Sequence, residues 1–271
     1  MEPSFLGLWN AQWIALLTAM LALLLLADAL VGHLRARFWN RAMFLPFVTG
    51  GLLSAAALLV VFFPTRGWSQ ILLQGTSWLA IATGIVGAVF HQVYGVAKQP
   101  GGYGWLLHHL MYGAPALAPL GLTSVGLVGL ATSARLAGEA TLFGMTIAPF
   151  ILIVVGLTLL GLVLQTGVLH YRGAFNNPIM FLPMTIPVLA ALGVLAIPFA
   201  SAQWLITSVW LLLWTTFLVG FIGLGMHLRG FDRMMGGLYV PKFNLFEGPP
   251  AWAPAHYAGF AIVGLLALPL L

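Results

Sequence analysis

The sequence predicts an all-α integral membrane protein: eight transmembrane helices arranged as two parallel, tandem four-helix repeats. Three observations lead there. The composition suits lipid, the apolar residues fall in eight runs of spanning length, and two motifs recur at a near-constant offset. Of the 271 residues, 61% are apolar and 6% are charged, whereas soluble domains carry about 25% charged residues. Mean hydropathy is +1.04. So few polar side chains cannot clothe a water-facing surface, and most outward faces must meet hydrocarbon. Cysteine is absent, which excludes disulfides and thiolate metal sites.

A helix crosses the bilayer with about 20 mostly apolar residues. Eight stretches qualify: 11–32, 44–63, 70–93, 113–134, 143–169, 180–200, 203–226 and 251–270. Turn chemistry separates them, as in Pro64 to Gly67, Gln99 to Gly102 and Arg135 to Glu139. The runs are continuous rather than alternating, so helices, not a barrel, satisfy the backbone in lipid. The segment before the first run carries Glu2 and no Lys or Arg. It lacks the positive leader of a cleavable signal, so the first run is expected to stay as a span.

The formal charge is +5, from ten Lys or Arg against five Asp or Glu. These basic residues are too few and too interrupted by apolar runs for nucleic acid. They report orientation instead. Arg35, Arg37, Arg41, Lys98, Arg172, Arg229, Arg233 and Lys242 follow the odd-numbered spans, whereas Arg66 and Arg135 follow even ones. The positive-inside rule then places the odd-to-even loops in the cytoplasm and both termini outside, in the periplasm of a bacterial inner membrane.

Self-similarity is the strongest pattern. HLRARFWNRAMFLP at 33–46 returns as HYRGAFNNPIMFLP at 170–183, with eight of fourteen positions identical at an offset of 137. Gly101-Gly102 through Pro119 returns as Gly236-Gly237 through Pro254 at an offset of 135, with His91 and His227 just ahead. The expected units are residues 1–136 and 137–271. An even number of spans per unit makes the copies parallel, related by an axis along the membrane normal. Each odd span ends in a histidine and each even span opens near a proline: Pro46, Pro115, Pro183 and Pro250. A helix pair is therefore the candidate primitive unit. Pro149, Pro187 and Pro198 fall deeper in their runs, where proline kinks a helix.

His33, His91, His170 and His227 are the candidate site residues, all expected at one depth near the basic face. His33 with His91, and His170 with His227, can each supply two axial nitrogens to a haem b iron. Arg35, Arg172 and Arg229 then suit the propionates. A quinone headgroup is the second cofactor option, because imidazole donates to carbonyls and exchanges protons near neutral pH. The plain alternative is helix-end chemistry, with histidine bonding the last free carbonyls and arginine reaching lipid phosphate. His108 and His109 have Phe243 and Asn244 at the matching positions and make a poor metal site, so no metal and no catalytic residue is assigned. His256 is unmatched and expected to bond a backbone carbonyl. Asp28, matched by Gln165, is the clearest ionisable group inside a span. Arg35, seven residues on, is its expected ion-pair partner, with a proton relay as the functional option.

In layout, eight spans in two four-helix bundles is similar to some quinone-reactive anchor subunits of respiratory complexes. That likeness is of layout alone and carries no residues across. The expected function is a membrane subunit of a larger bacterial complex, most consistent with a redox complex. It serves as anchor or as haem- or quinone-linked electron relay, not catalytic by itself, with partner subunits or anionic lipid on the basic face. The alternatives are a small-solute transporter or channel built on parallel repeats, and a purely structural membrane subunit.

Overall fold

The computed structural model describes residues 8–200, 202–248 and 250–271. Glu2 of the leader argument and Pro249 of the second motif lie outside the described residues. Helix accounts for 81% of the structure. The order is α1 (Asn10–Arg35), α2 (Leu45–Phe62), α3 (Gly67–Gln92), α4 (Leu106–Tyr112), α5 (Ala118–Leu136), α6 (Ile147–Arg172), α7 (Leu182–Ala196), α8 (Gln203–Asp232), α9 (Pro241–Glu247) and α10 (Ala253–Ala267).

Seven of these helices are long and apolar enough to cross a membrane. Their outward faces carry exposed Ile71, Leu164, Leu211, Leu218 and Phe221. A soluble monomer does not expose apolar surface on this scale; the protein is a multi-pass membrane protein. The remaining long helix, α5, is 19 residues, and more than half of them are buried. Gly126, Gly129, Thr132 and Ser133 are among its buried residues, and it packs on α1, α2, α3 and α6, so it needs less hydrocarbon-compatible surface than a lipid-facing helix.

Helix starts and stops follow local chemistry. Pro46 and Pro183 stand in the first turns of α2 and α7, and Pro119 and Pro254 in those of α5 and α10. A missing N–H costs nothing there. Pro115 and Pro250, expected to open α5 and α10, instead precede those helices. Pro187 lies inside α7, Pro149 is in the first turn of α6, and Pro198 follows the end of α7. Of these three deep prolines, only Pro187 is therefore placed to disturb a helix interior. A two-residue hairpin, Thr141–Leu142 with Met145–Thr146, occupies the start of the stretch expected as the fifth span. Phe143 and Gly144 both have positive φ, which the tight hairpin turn demands.

Packing repeats along the chain. α1 packs on α2 and α5, α2 on α3, and α3 on α5; then α6 packs on α7 and α10, α7 on α8, and α8 on α10. The two sets join through α1 with α10 and α5 with α6. The closest approaches need glycine. A Cβ on Gly84 of α3 would lie 2.7 Å from the Pro119 carbonyl oxygen and 2.6 Å from the Thr123 nitrogen on α5. On Gly220 of α8 it would lie 2.9 Å from the Pro254 carbonyl oxygen and 2.8 Å from the Ala258 nitrogen on α10.

Candidate functional site

The four histidines share one local construction. At the end of α1, the turn Arg37-Phe38 takes positive φ, and Phe38 N–H returns to the His33 carbonyl at 3.0 Å. Ala174-Phe175 does the same after α6, with Phe175 N–H on the His170 carbonyl at 3.1 Å. Non-glycine residues rarely hold this conformation. Here it brings the chain back so that Asn40 and Asn177 can cap the next turn, accepting from Ala42 and Ile179 N–H at 2.9 and 3.0 Å. Phe38 stacks on Phe44, and Phe175 on Phe181. Met43 and Met180 then present their carbonyls to the preceding histidines.

The resulting hydrogen bonds are near-identical. Nδ1 of His33 donates to Met43 O at 2.8 Å and Nδ1 of His170 to Met180 O at 2.9 Å. Nδ1 of His91 donates to Pro115 O at 2.8 Å and Nδ1 of His227 to Pro250 O at 2.7 Å. A carbonyl only accepts, so each Nδ1 carries the proton and each Nε2 keeps its lone pair. Among the described residues nothing bonds those four Nε2 atoms. The sequence expectation that histidine bonds the last carbonyls of its own helix is corrected. Backbone turns occupy those carbonyls, and each ring ties its helix end to the segment leading into the next long helix.

All four histidines line one cavity of about 2220 Å³. It lies where the C-terminal parts of α1, α3, α6 and α8 meet the N-terminal parts of α5 and α10. His33 and His91 are within electrostatic reach of each other, as are His170 and His227. Beyond His91 the helix loosens into a π turn over Val93–Ala97, a break that α8 lacks.

The arginines are partly engaged elsewhere. Arg35 donates from Nη2 to Leu245 O at 3.1 Å and Gly248 O at 3.4 Å, at the end of α9. Arg172 donates from Nη1 to Met111 O at 3.1 Å, at the end of α4, and lies 5.2 Å over the Tyr112 ring. Each arginine caps a short helix belonging to the other half of the chain, because these carbonyls have no partner within their own helices. The remaining N–H groups of both, and all those of Arg229, are uncommitted among the described residues, and all three side chains line the cavity.

Two sequence readings change. Asp28 does not pair with Arg35. Its Oδ2 lies 3.7 Å from Nδ1 of His256 on α10, since α1 packs along α10 while Arg35 reaches α9. His256 does have the Trp252 and Ala253 carbonyls beside its ring, as expected, but its Nε2 is buried without a partner. His109 ties back to the preceding loop: its buried Nε2 donates to Pro100 O at 3.1 Å. Asn244, its match at the 135-residue offset, is 1% exposed and donates to Gly237 O at 2.6 Å, with Met235 O 3.5 Å away. Met235 is the position matching Pro100. The sequence matched the two positions but not their shared role, because histidine and asparagine share no identity, only a side-chain N–H at similar reach. Among the described residues no group of three or more His, Asp or Glu side chains can hold a metal ion.

Comparison with protein-family models, with curated proteins and with solved structures gives no match. The site's own chemistry must carry the functional reading.

Proposed function

We propose that this protein is the membrane-embedded, electron-relaying subunit of a bacterial redox complex, with a haem held by two histidines in each half. His33 and His91 would hold one, and His170 and His227 the other. The observation that carries the reading is the shared tether: four Nδ1–H groups on backbone carbonyls, leaving four Nε2 lone pairs at one cavity. Histidines that ligate iron or other metals almost always donate their other ring N–H in this way, which fixes the tautomer and orients the ring. Bound haem would supply one-electron transfer; the protein's residues would set its orientation and exclude water. Arg229 and the free N–H groups of Arg35 and Arg172 suit the propionates.

On this reading the chain is two parallel four-helix repeats in the inner membrane, with α5 as an eighth span. The repeated packing, the matched turns and the common depth of the histidines support it. The charge distribution supports a cavity mouth on the cytoplasmic side and both termini outside. Partner subunits or anionic lipid would dock on that basic face.

The absorption spectrum of protein purified from its native membrane tests the reading. The expected result is a Soret band of six-coordinate haem, about halved in His91→Ala and abolished when His227→Ala is added, since each pair needs both nitrogens. A colourless protein that also takes up no haemin after purification overturns it. One observation favours a second reading, a small-solute transporter. The cavity exceeds the roughly 300–1,000 Å³ typical of single small-molecule sites. Solute uptake by vesicles containing the colourless protein would support that alternative.

A further inference from the structure

The four repeated histidines leave one ionisable cluster of the cavity unexplained. Asp28 on α1 and His256 on α10 meet with Oδ2 and Nδ1 3.7 Å apart, and their side chains are 28% and 4% exposed. Both line the cavity. Asp28 lies five residues before His33, so it stands about 7.5 Å further in along the helix. The Trp252 amide faces the Asp28 carboxylate, and the Trp252 and Ala253 carbonyls lie beside the His256 ring. Nδ1 is therefore surrounded by acceptors and carries the proton. Nε2 is left as a lone-pair acceptor, buried and unpartnered. Leaving a buried polar atom unsatisfied is costly, and here nothing in the described protein satisfies it.

The cluster has no counterpart. The position matching Asp28 is Gln165, and the position matching His256 is Gly121. Beside it, Tyr257 Oη donates to Thr166 Oγ1 at 2.9 Å, so the neighbouring phenol is already engaged. Apart from that phenol, the other ionisable groups on α1, α6 and α10 that line the cavity are His33, Arg35, His170 and Arg172, all toward the mouth; α5 contributes none. Leu25, Leu26, Leu162 and Phe260 make the nearby wall apolar.

We propose that Asp28 and His256 form a proton-exchanging binding site for the hydroxyl of an apolar quinol-class molecule, one per chain. The fit is chemical. An apolar ring packs against the leucine and phenylalanine wall, while one O–H donates to Nε2. Proton transfer breaks that O–H bond and forms Nε2–H while the Nδ1 proton passes to Asp28, so the imidazole stays neutral, the carboxylate is protonated and the one negative charge moves to the quinolate. No electron moves in this step. A metal cation is a poor fit for one carboxylate and one imidazole, and a free anion would meet Asp28 without a cation at that depth. The proposal does not depend on haem at the four repeated histidines.

Equilibrium dialysis of the purified protein against a decyl-substituted benzoquinol tests it. Saturable binding of one quinol per chain is expected, weakened roughly ten- to hundredfold in both His256→Gln and Asp28→Asn by loss of a charge-assisted hydrogen bond. The analogue with both hydroxyls methylated should bind no better to wild type than to the variants. A stoichiometry of two, equal affinity in all three proteins, or no saturable binding overturns the proposal. Should either variant fail to fold, an azido-quinone crosslinked to wild-type protein decides the matter. Label on residues 24–32 and 252–260 supports the site, and label elsewhere refutes it. Haem content is read separately from the Soret band, so quinol binding by colourless protein that takes up no haemin would end the haem reading and leave this one standing.

Discussion

Alanine at Gly84 and at Gly220 should destabilise the protein, whereas alanine at Gly225 on the same helix as Gly220 should not. At Gly84 the new Cβ meets the Pro119 carbonyl oxygen at 2.7 Å; at Gly220 it meets the Ala258 nitrogen at 2.8 Å. Both obstacles are backbone, so no side chain can swing aside. Restoring ordinary separations of about 3.5 Å, with Thr123 N 2.6 Å away at Gly84, moves each helix pair apart by roughly 0.7–0.9 Å. Overpacking of this kind costs about 1–3 kcal/mol. Nothing lies within 4 Å of a Cβ on Gly225, and there alanine gains up to about 1 kcal/mol of helix propensity. That gain accompanies every glycine replacement, so the gap between the two classes is the overpacking cost itself. For a chain of this size it corresponds to roughly 2–12 °C in the unfolding midpoint. Thermal unfolding in one mild detergent, followed by circular dichroism, measures it. The same displacement pulls Pro115 away from His91, and Pro250 away from His227, so haem retention should fall with it. Equal midpoints for Gly84→Ala, Gly220→Ala and Gly225→Ala would refute the reasoning that backbone contact at these glycines sets the frame of the site.

Three further outcomes follow from the geometry. Exchanging His109→Asn and Asn244→His should leave the unfolding midpoint within a few degrees, because each side chain donates to a carbonyl of the loop that precedes its short helix; Asn244→Leu should lose about 1–3 kcal/mol for the stranded polar groups, read by the same melt. Arg35→Ala and Arg172→Ala should each cost about 1 kcal/mol or less, since both side chains are exposed, yet make the α9 and α4 segments more susceptible to limited proteolysis. The chain has no cysteine, so single cysteines at Lys98 and Lys242 should react with a membrane-impermeant maleimide only from the cytoplasmic side, and one at Arg66 only from the other; the reverse labelling refutes the charge-based orientation.

Much of the frame was legible because it depends on quantities that survive in one dimension. Run length and hydropathy marked the long helices to within a few residues, and identity at a fixed offset marked the two turns that return the chain after α1 and α6. That four histidines share one cavity was legible for the same reason: repeated residues at helix ends of one polarity lie toward one end of the bundle. What the sequence concealed depends on direction. No spacing tells that Nδ1 of His33 turns onward to Met43 instead of back to its own helix. Nor does it tell that Arg35 crosses to α9, which is more than two hundred residues away in sequence. Asp28 with His256 was invisible for a different reason. Self-similarity searches find what is kept in both halves, and this pair joins two positions where the halves differ. Asn244 escaped through chemistry that is conserved while its residue type is not.

The repeated and unrepeated features carry different burdens. Histidine tethers, asparagine-capped turns and close glycine contacts occur in both halves with distances that differ by a tenth of an ångström or two. They build two equivalent frames. On the proposed reading two equivalent frames would hold two equivalent centres, and equal centres alone give a transfer path no direction. Any vectorial step therefore has to draw on what is present once. The structure offers two such features at the cavity: the π turn beyond His91, and the Asp28–His256 pair. The second couples the halves directly, because its carboxylate belongs to one and its imidazole to the other. A proton bound there changes the charge between the two halves at a point deeper than either histidine pair. If electrons pass between paired sites at the mouth, that charge biases which site holds them. Where the proposed haems are bound, the bias is testable in a single titration: His256→Gln should bring their two midpoint potentials closer together while leaving the Soret band intact.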